Sequence, residues 1–102
     1  MGMGNLARMA QQMQAEMARV QAELEALTVE TSAGGGAVTT VVNGRQEVVS
    51  VRIDPAAVDP DDVEMLQDLI TAAVNDGLRQ VRQTAEQKMA RVTGGLQLPG
   101  LG

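Results

Sequence analysis

Apolar residues keep helical spacing along one long run: Val63, Leu66, Ile70, Ala73, Val74, Val81, Ala85, Met89 and Val92. That spacing lines one face of a helix. The run follows Asp59-Pro60 and stops at Gly94-Gly95, which predicts a helix over residues 59–93. Asp59 is its expected N-cap, with Pro60 in the first turn and Asp61, Asp62 and Glu64 near the positive end of the dipole. Such a helix is about 50 Å long, whereas a seven-residue strand spans only about 23 Å. It must therefore overhang any sheet made by the rest of the 102 residues, and the overhanging stripe needs another surface. Gly77 costs about 1 kcal/mol against Ala in a helix interior, so it marks either close packing or a weak point.

Leu6, Met9, Met13, Met17, Val20, Leu24 and Leu27 repeat the helical spacing upstream and predict a first helix over residues 5–27. From Met13 onward the steps alternate four and three, as in a short coiled-coil seam. At Thr28 the composition turns to Val and Thr with glycine punctuation: TVETSA, then Gly34, Gly35 and Gly36, then AVTTVVNGRQEVVSVRID. This reads as three antiparallel strands within residues 28–54. Asn43-Gly44 is a hairpin signal of the type I′ kind. Val38, Thr40 and Val42 share a face with Val49, Val51 and Ile53, the face expected to be buried. Thr39, Val41, Val48, Ser50 and Arg52 are expected on the other.

The fold class is thus α+β: helix, three-stranded antiparallel meander, long helix, in one domain over residues 1–102. The stretch 94–102, rich in Gly and with Pro99, is expected to be a flexible tail. A domain this small buries a modest fraction of its surface. The overhanging stripes and unpaired sheet edges predict a homodimer, the second copy related by a twofold axis.

The side chains that carry most enzyme chemistry are missing. The chain has no His and no Cys, which removes the usual general base, the thiolate nucleophile and the imidazole ligand. An enzyme is not expected, nor a metal or other cofactor. The DPDDVE segment lacks the alternation of a calcium loop, and capping explains it. Gly34 to Gly36 precede neither a Lys-Ser/Thr pair nor a helix, so a turn explains them better than a phosphate loop. Met9, Met13 and Met17 form either core or an adaptable binding surface. No apolar run reaches the length of a membrane span, and no signal peptide is visible, so a cytoplasmic protein is expected.

Net charge is −5, from 8 basic and 13 acidic residues, and opposes a polyanionic partner. The charge is segregated, however. Asp59, Asp61, Asp62, Glu64, Asp68 and Asp76 precede a stretch in which Arg79, Arg82, Lys88 and Arg91 face Glu86 alone. That basic group fits either a solvated helix end or a phosphate contact.

Taken in order, NLARMAQQMQ, GGGAVTTVVNGRQEVVSVRIDP, DDVEMLQDLITAAVNDGLRQV and TGGLQLPG resemble the YbaB/EbfC family of nucleoid-associated proteins over nearly the whole chain. The resemblance implies a bacterial homodimer, intertwined or side by side, whose helices project like tweezers, bind double-stranded DNA with little sequence preference and alter its conformation. Effects on gene expression, nucleoid organisation or DNA repair would follow. The DNA-contacting positions it implies are Arg8, Arg19, Arg79, Arg82, Lys88 and Arg91, with Gln11, Gln12 and Gln83 as weaker candidates. The resemblance also implies Ala, as in many relatives, where this chain has Gly77. Two rival readings are an adaptor that docks replication or recombination proteins in Met-lined grooves, and an RNA-binding module.

Overall fold

The computed structural model describes residues 3–94: helix α1 (Met3–Ala26), strands β1 (Thr28–Ala33), β2 (Val38–Asn43) and β3 (Val48–Ile53), a 3-10 turn (Pro55–Ala57) and helix α2 (Val63–Gly94). The expected tail beyond Gly94 lies outside the described residues. The strands form one antiparallel sheet in the order β1-β2-β3, so element order and sheet class are as the periodicities predict.

The start of α2 differs from the expectation. It begins at Val63, and the cap is Asp62, whose Oδ1 accepts the Met65 N–H at 3.2 Å. Asp59 is engaged one turn earlier: its Oδ1 accepts the Asp61 N–H at 2.9 Å and its carbonyl accepts the Asp62 N–H at 2.9 Å. The acidic run therefore builds a closed turn around Pro60 before it caps the helix. Asp54 likewise caps the 3-10 turn, accepting the Ala56 N–H at 3.0 Å. α1 also shifts slightly, spanning Met3–Ala26 instead of residues 5–27.

The hairpin between β2 and β3 uses Asn43-Gly44 in another way than a type I′ turn. The only non-glycine residue with positive φ among those described is Gln46, at 63°. The Gln46 N–H donates to the Asn43 carbonyl and the Asn43 N–H to the Glu47 carbonyl, both at 3.0 Å. The Asn43 side chain completes the turn by accepting the Arg45 and Glu47 N–H groups, each at 3.0 Å. Asn43 thus opens a three-residue loop in which Gln46 takes the left-handed position. Gly44 is needed for space: a Cβ there would lie 1.7 Å from the Leu24 carbonyl oxygen of α1. Its N–H also donates to the Leu27 carbonyl at 3.0 Å, which fastens the root of α1 to the hairpin.

α2 lies across β1 and β2, and this sets the core. Val38, Thr40 and Val42 are completely buried, as expected, against a helix face that buries Ala73. β3 is not covered. Val51 and Ile53 do stand opposite Thr40 and Val38, on the expected face, but Val51 is exposed, and Val49, exposed at 58%, leaves that face altogether. Two causes act together. α2 sits over the other two strands, and a register shift at Val41/Val42 pairs Val42 with Val48 and Val41 with Ser50, leaving Val49 as the extra residue of a bulge. Val48 thereby moves from the predicted outer set to a position opposite Val42.

Two buried threonines set where α2 crosses the sheet. Thr31 Oγ1 donates to the Ala73 carbonyl at 2.7 Å, and Thr40 Oγ1 lies 3.2 Å from that oxygen and 2.9 Å from Thr31 Oγ1. Every buried hydroxyl is thus satisfied at the cost of one helix carbonyl accepting extra bonds. One turn later Gly77 packs on the sheet; a Cβ there would stand 2.8 Å from Val42 Cγ2 and 3.2 Å from Thr31 Oγ1. Close packing is therefore the meaning of Gly77.

Gly77 is also where α2 leaves the sheet. From there to Gly94 the helix runs on for about 26 Å, accompanied by α1, and the fold measures 72 × 26 × 16 Å. α1 returns alongside it from Leu24 at the hairpin, with Val20 buried, Met17 and Met13 half-buried, and Met9 and Leu6 exposed. Cover is lost progressively toward the α1 N-terminus.

Candidate nucleic-acid interface

The predicted DNA-contacting residues all lie on α1 or on the part of α2 beyond the sheet, and the fold divides them into three groups. At 3.6 residues per turn, Arg79, Arg82 and Gln83 fall on one face of α2, opposite the buried Val81. Arg79 Nη1 pairs with Asp76 Oδ1 at 3.3 Å. Arg82 is exposed and makes no ion pair among the described residues.

Lys88 and Arg91 lie about half a turn away from that face, toward α1. Lys88 Nζ donates to Glu23 Oε2 at 2.7 Å, the only ion pair between α1 and α2 among the described residues, and its side chain is 25% exposed. Glu23 is held below the usual carboxylate range, first by the Lys88 hydrogen bond and charge and further by the charges of Arg19 and Arg91. One carboxylate thus bonds Lys88 and feels the charge of an arginine on each helix. Arg19 also pairs with Glu16 one turn back.

Arg8, Gln11 and Gln12 form the third group, exposed on the N-terminal half of α1. Arg8 and Gln12 share a face with Arg19. The predicted residues are therefore not one continuous ridge. They flank the helix pair on two sides and extend along α1.

Sequence reasoning missed Glu23. Its relation to Arg19, four residues earlier, was legible as a helical pair, but its relation to Lys88, 65 residues away, depends on how the helices meet. The remaining arginines stay on the sheet: Arg45 pairs with Glu25 at 3.6 Å and Arg52 with Glu30 at 3.8 Å. Among the described residues no helix is long and apolar enough to cross a membrane, and no group of three acidic side chains is placed to hold a metal ion.

The model of the YbaB/EbfC DNA-binding family matches residues 1–96. The chain belongs to that family. This is a DNA-binding family and not an enzyme family, so the expectation from the missing His and Cys agrees with it. A nucleoid-associated protein of Moorella thermoacetica is 58% identical, covering 98% of this chain and 99% of its own. Another from Syntrophobacter fumaroxidans is 62% identical, with 87% of this chain and 81% of its own covered. The crystal structure of an uncharacterized Helicobacter pylori protein superposes with a TM-score of 0.75, covering 91% of this chain and 98% of its own at 24% identity, which shows the shared fold.

Proposed function

We propose that this family member is a nucleoid-associated protein that acts as a homodimer, gripping double-stranded DNA with the α1–α2 arms and altering its conformation. The observation that carries the reading is the separation of charge along α2. The half on the sheet contains Glu64, Asp68 and Asp76 and no Lys or Arg, while the projecting half contains Arg79, Arg82, Lys88 and Arg91 against Glu86. A net charge of −5 is compatible with phosphate contact when most of the carboxylates lie at the other end of an elongated molecule. Gene expression, nucleoid organisation and repair are the processes such bending would reach, and the cytoplasmic nucleoid is the place.

A second copy supplies what the isolated subunit lacks. Val48, Val49 and Val51 stand exposed on an edge strand, and Met3, Leu6 and Met9 on α1 are exposed as well. Apolar surface of this kind on so small a domain calls for cover. Binding is sequence-tolerant, because the chain has no aromatic residue to stack on a base.

The test is a mobility shift of a random-sequence duplex by wild type and by Arg82→Ala/Arg91→Ala, titrated across salt, with both proteins checked by light scattering. Log affinity of the wild type should fall linearly with log salt, and removing two phosphate contacts should flatten that slope by about 1.8. A slope near zero for the wild type, or one unchanged by the double substitution, overturns the phosphate grip. The exposed Leu6 and Met9 favour one other reading, a helix of a replication or recombination protein docked along α1. Capture of such a partner that survives nuclease treatment, with duplex binding absent, would establish it.

A further inference from the structure

The structure places the chain's single lysine in a neutralised position. Lys88 Nζ is 2.7 Å from Glu23 Oε2, and Arg19 and Arg91 act on the same carboxylate. Arg19 is one turn before Glu23 on α1, and Arg91 is one turn after Lys88 on α2. Lys88 alone bonds the carboxylate, while Arg19, itself paired with Glu16, and Arg91 add their charge from either helix. A backbone phosphate offers the same chemistry: a small, exposed, hydrogen-bond-accepting anion.

We propose that Glu23 is a built-in counter-ion at a phosphate subsite centred on Lys88 and flanked by Arg19 and Arg91, and that DNA must compete with it for Lys88. This deepens the DNA-binding reading and rests on it. With Glu23 in place, Lys88 is already occupied and adds little to the grip. The resident carboxylate therefore holds affinity down and the salt dependence shallow. Arg82, on the opposite face of α2 and without an ion pair among the described residues, is outside this competition, so the two sides of the arm contribute unequally.

The simple alternative is that Glu23 only ties α1 to α2. The two roles give opposite results in one substitution. Glu23→Gln keeps the size of the side chain and removes the competing charge. Glu25→Gln is its control: the same change in net charge, on the same helix, at a residue paired with Arg45 of the hairpin at 3.6 Å.

Binding of a random-sequence duplex by the full chain should tighten about fivefold in Glu23→Gln at 0.1 M salt, the size expected for one unit charge at contact in water. The slope of log affinity against log salt should steepen by up to about 0.9, one further phosphate neutralised. Glu25→Gln should change affinity by under about twofold, because its charge lies away from the cluster and is screened. Adding Lys88→Met to Glu23→Gln should cancel the gain. A Glu23→Gln protein that binds no better than Glu25→Gln, or more weakly, overturns the proposal, as does a gain that persists without Lys88. If neither wild type nor Glu23→Gln retards the duplex, the DNA-binding reading falls as well. Retardation by wild type without a Glu23→Gln gain removes only the counter-ion role.

Discussion

The two halves of α2 are one continuous helix under two different physical regimes. From Leu69 to Gly77 it is held by packing and buried hydrogen bonds: Leu69 lies against Gly34, Ala73 accepts the threonine hydroxyls, and Gly77 touches Val42. Beyond Gly77 its companion among the described elements is α1. There its contacts are Val81, Val92 and the exposed Lys88–Glu23 pair. The first half is fixed and acidic, and the second is lightly held and basic. A chain that must present cations to another molecule does so where its own core no longer needs the surface. The rigid half serves to set the angle at which the other half leaves.

The sharpest way to break this division is at the root of the arm. Gly44→Ala drives a Cβ into the Leu24 backbone, 1.7 Å from its carbonyl oxygen, and no side-chain rotation relieves that clash. A loss of about 3 kcal/mol is expected, read by urea denaturation, with faster amide exchange over residues 20–27. Next is Gly77→Ala. Helix propensity returns about 1 kcal/mol, but the added methyl meets the buried, branched Val42 at 2.8 Å, an overpacking cost of up to about 3 kcal/mol. Net destabilisation of about 1–2 kcal/mol is expected; a rise in the melting temperature would show that the helix can lift from the sheet without penalty.

Smaller again is Thr31→Val, which removes the 2.7 Å bond to Ala73 and should lower stability by about 1 kcal/mol. Its effect belongs to the sheet-bound half, so DNA affinity per folded molecule should be unchanged. The smallest effect concerns pH. The Glu23 carboxyl titrates lower in the folded arm than in the unfolded chain, so its contribution is complete at neutral pH and is lost as pH falls through that lowered value. The melting-temperature difference between wild type and Glu23→Gln should hold steady across neutral and mildly acidic pH and close only as pH falls below the ordinary carboxylate range. A difference that closes near pH 6 would contradict the Lys88 pairing.

Much of this molecule is legible in its residues taken in order. Three- and four-residue apolar spacing marks both helices, Val-Thr alternation marks the strands, and the Asp-rich start and Arg-rich end of α2 show its charge division. These are local properties, fixed by the repeat of a helix or strand and by which side chains can cap it. The lack of His and Cys removed whole classes of chemistry in the same direct manner. The family resemblance, read from four segments in sequence, is of this local kind as well.

Tertiary structure decided where distant pieces meet. Whether Asp59 or Asp62 caps α2 depended on the turn around Pro60. Whether Val49 or Val48 stands opposite Val42 depended on a bulge, and whether β3 is buried depended on α2 covering β1 and β2 instead. Gly44 looks like a turn residue in sequence, and it is indispensable because α1 passes against it. Most consequential for the candidate site, Lys88 and Glu23 are separated by 65 residues and joined by 2.7 Å. Spacing along a chain gives each side chain a face on its own helix, and only the approach of a second helix determines which opposite charge waits there.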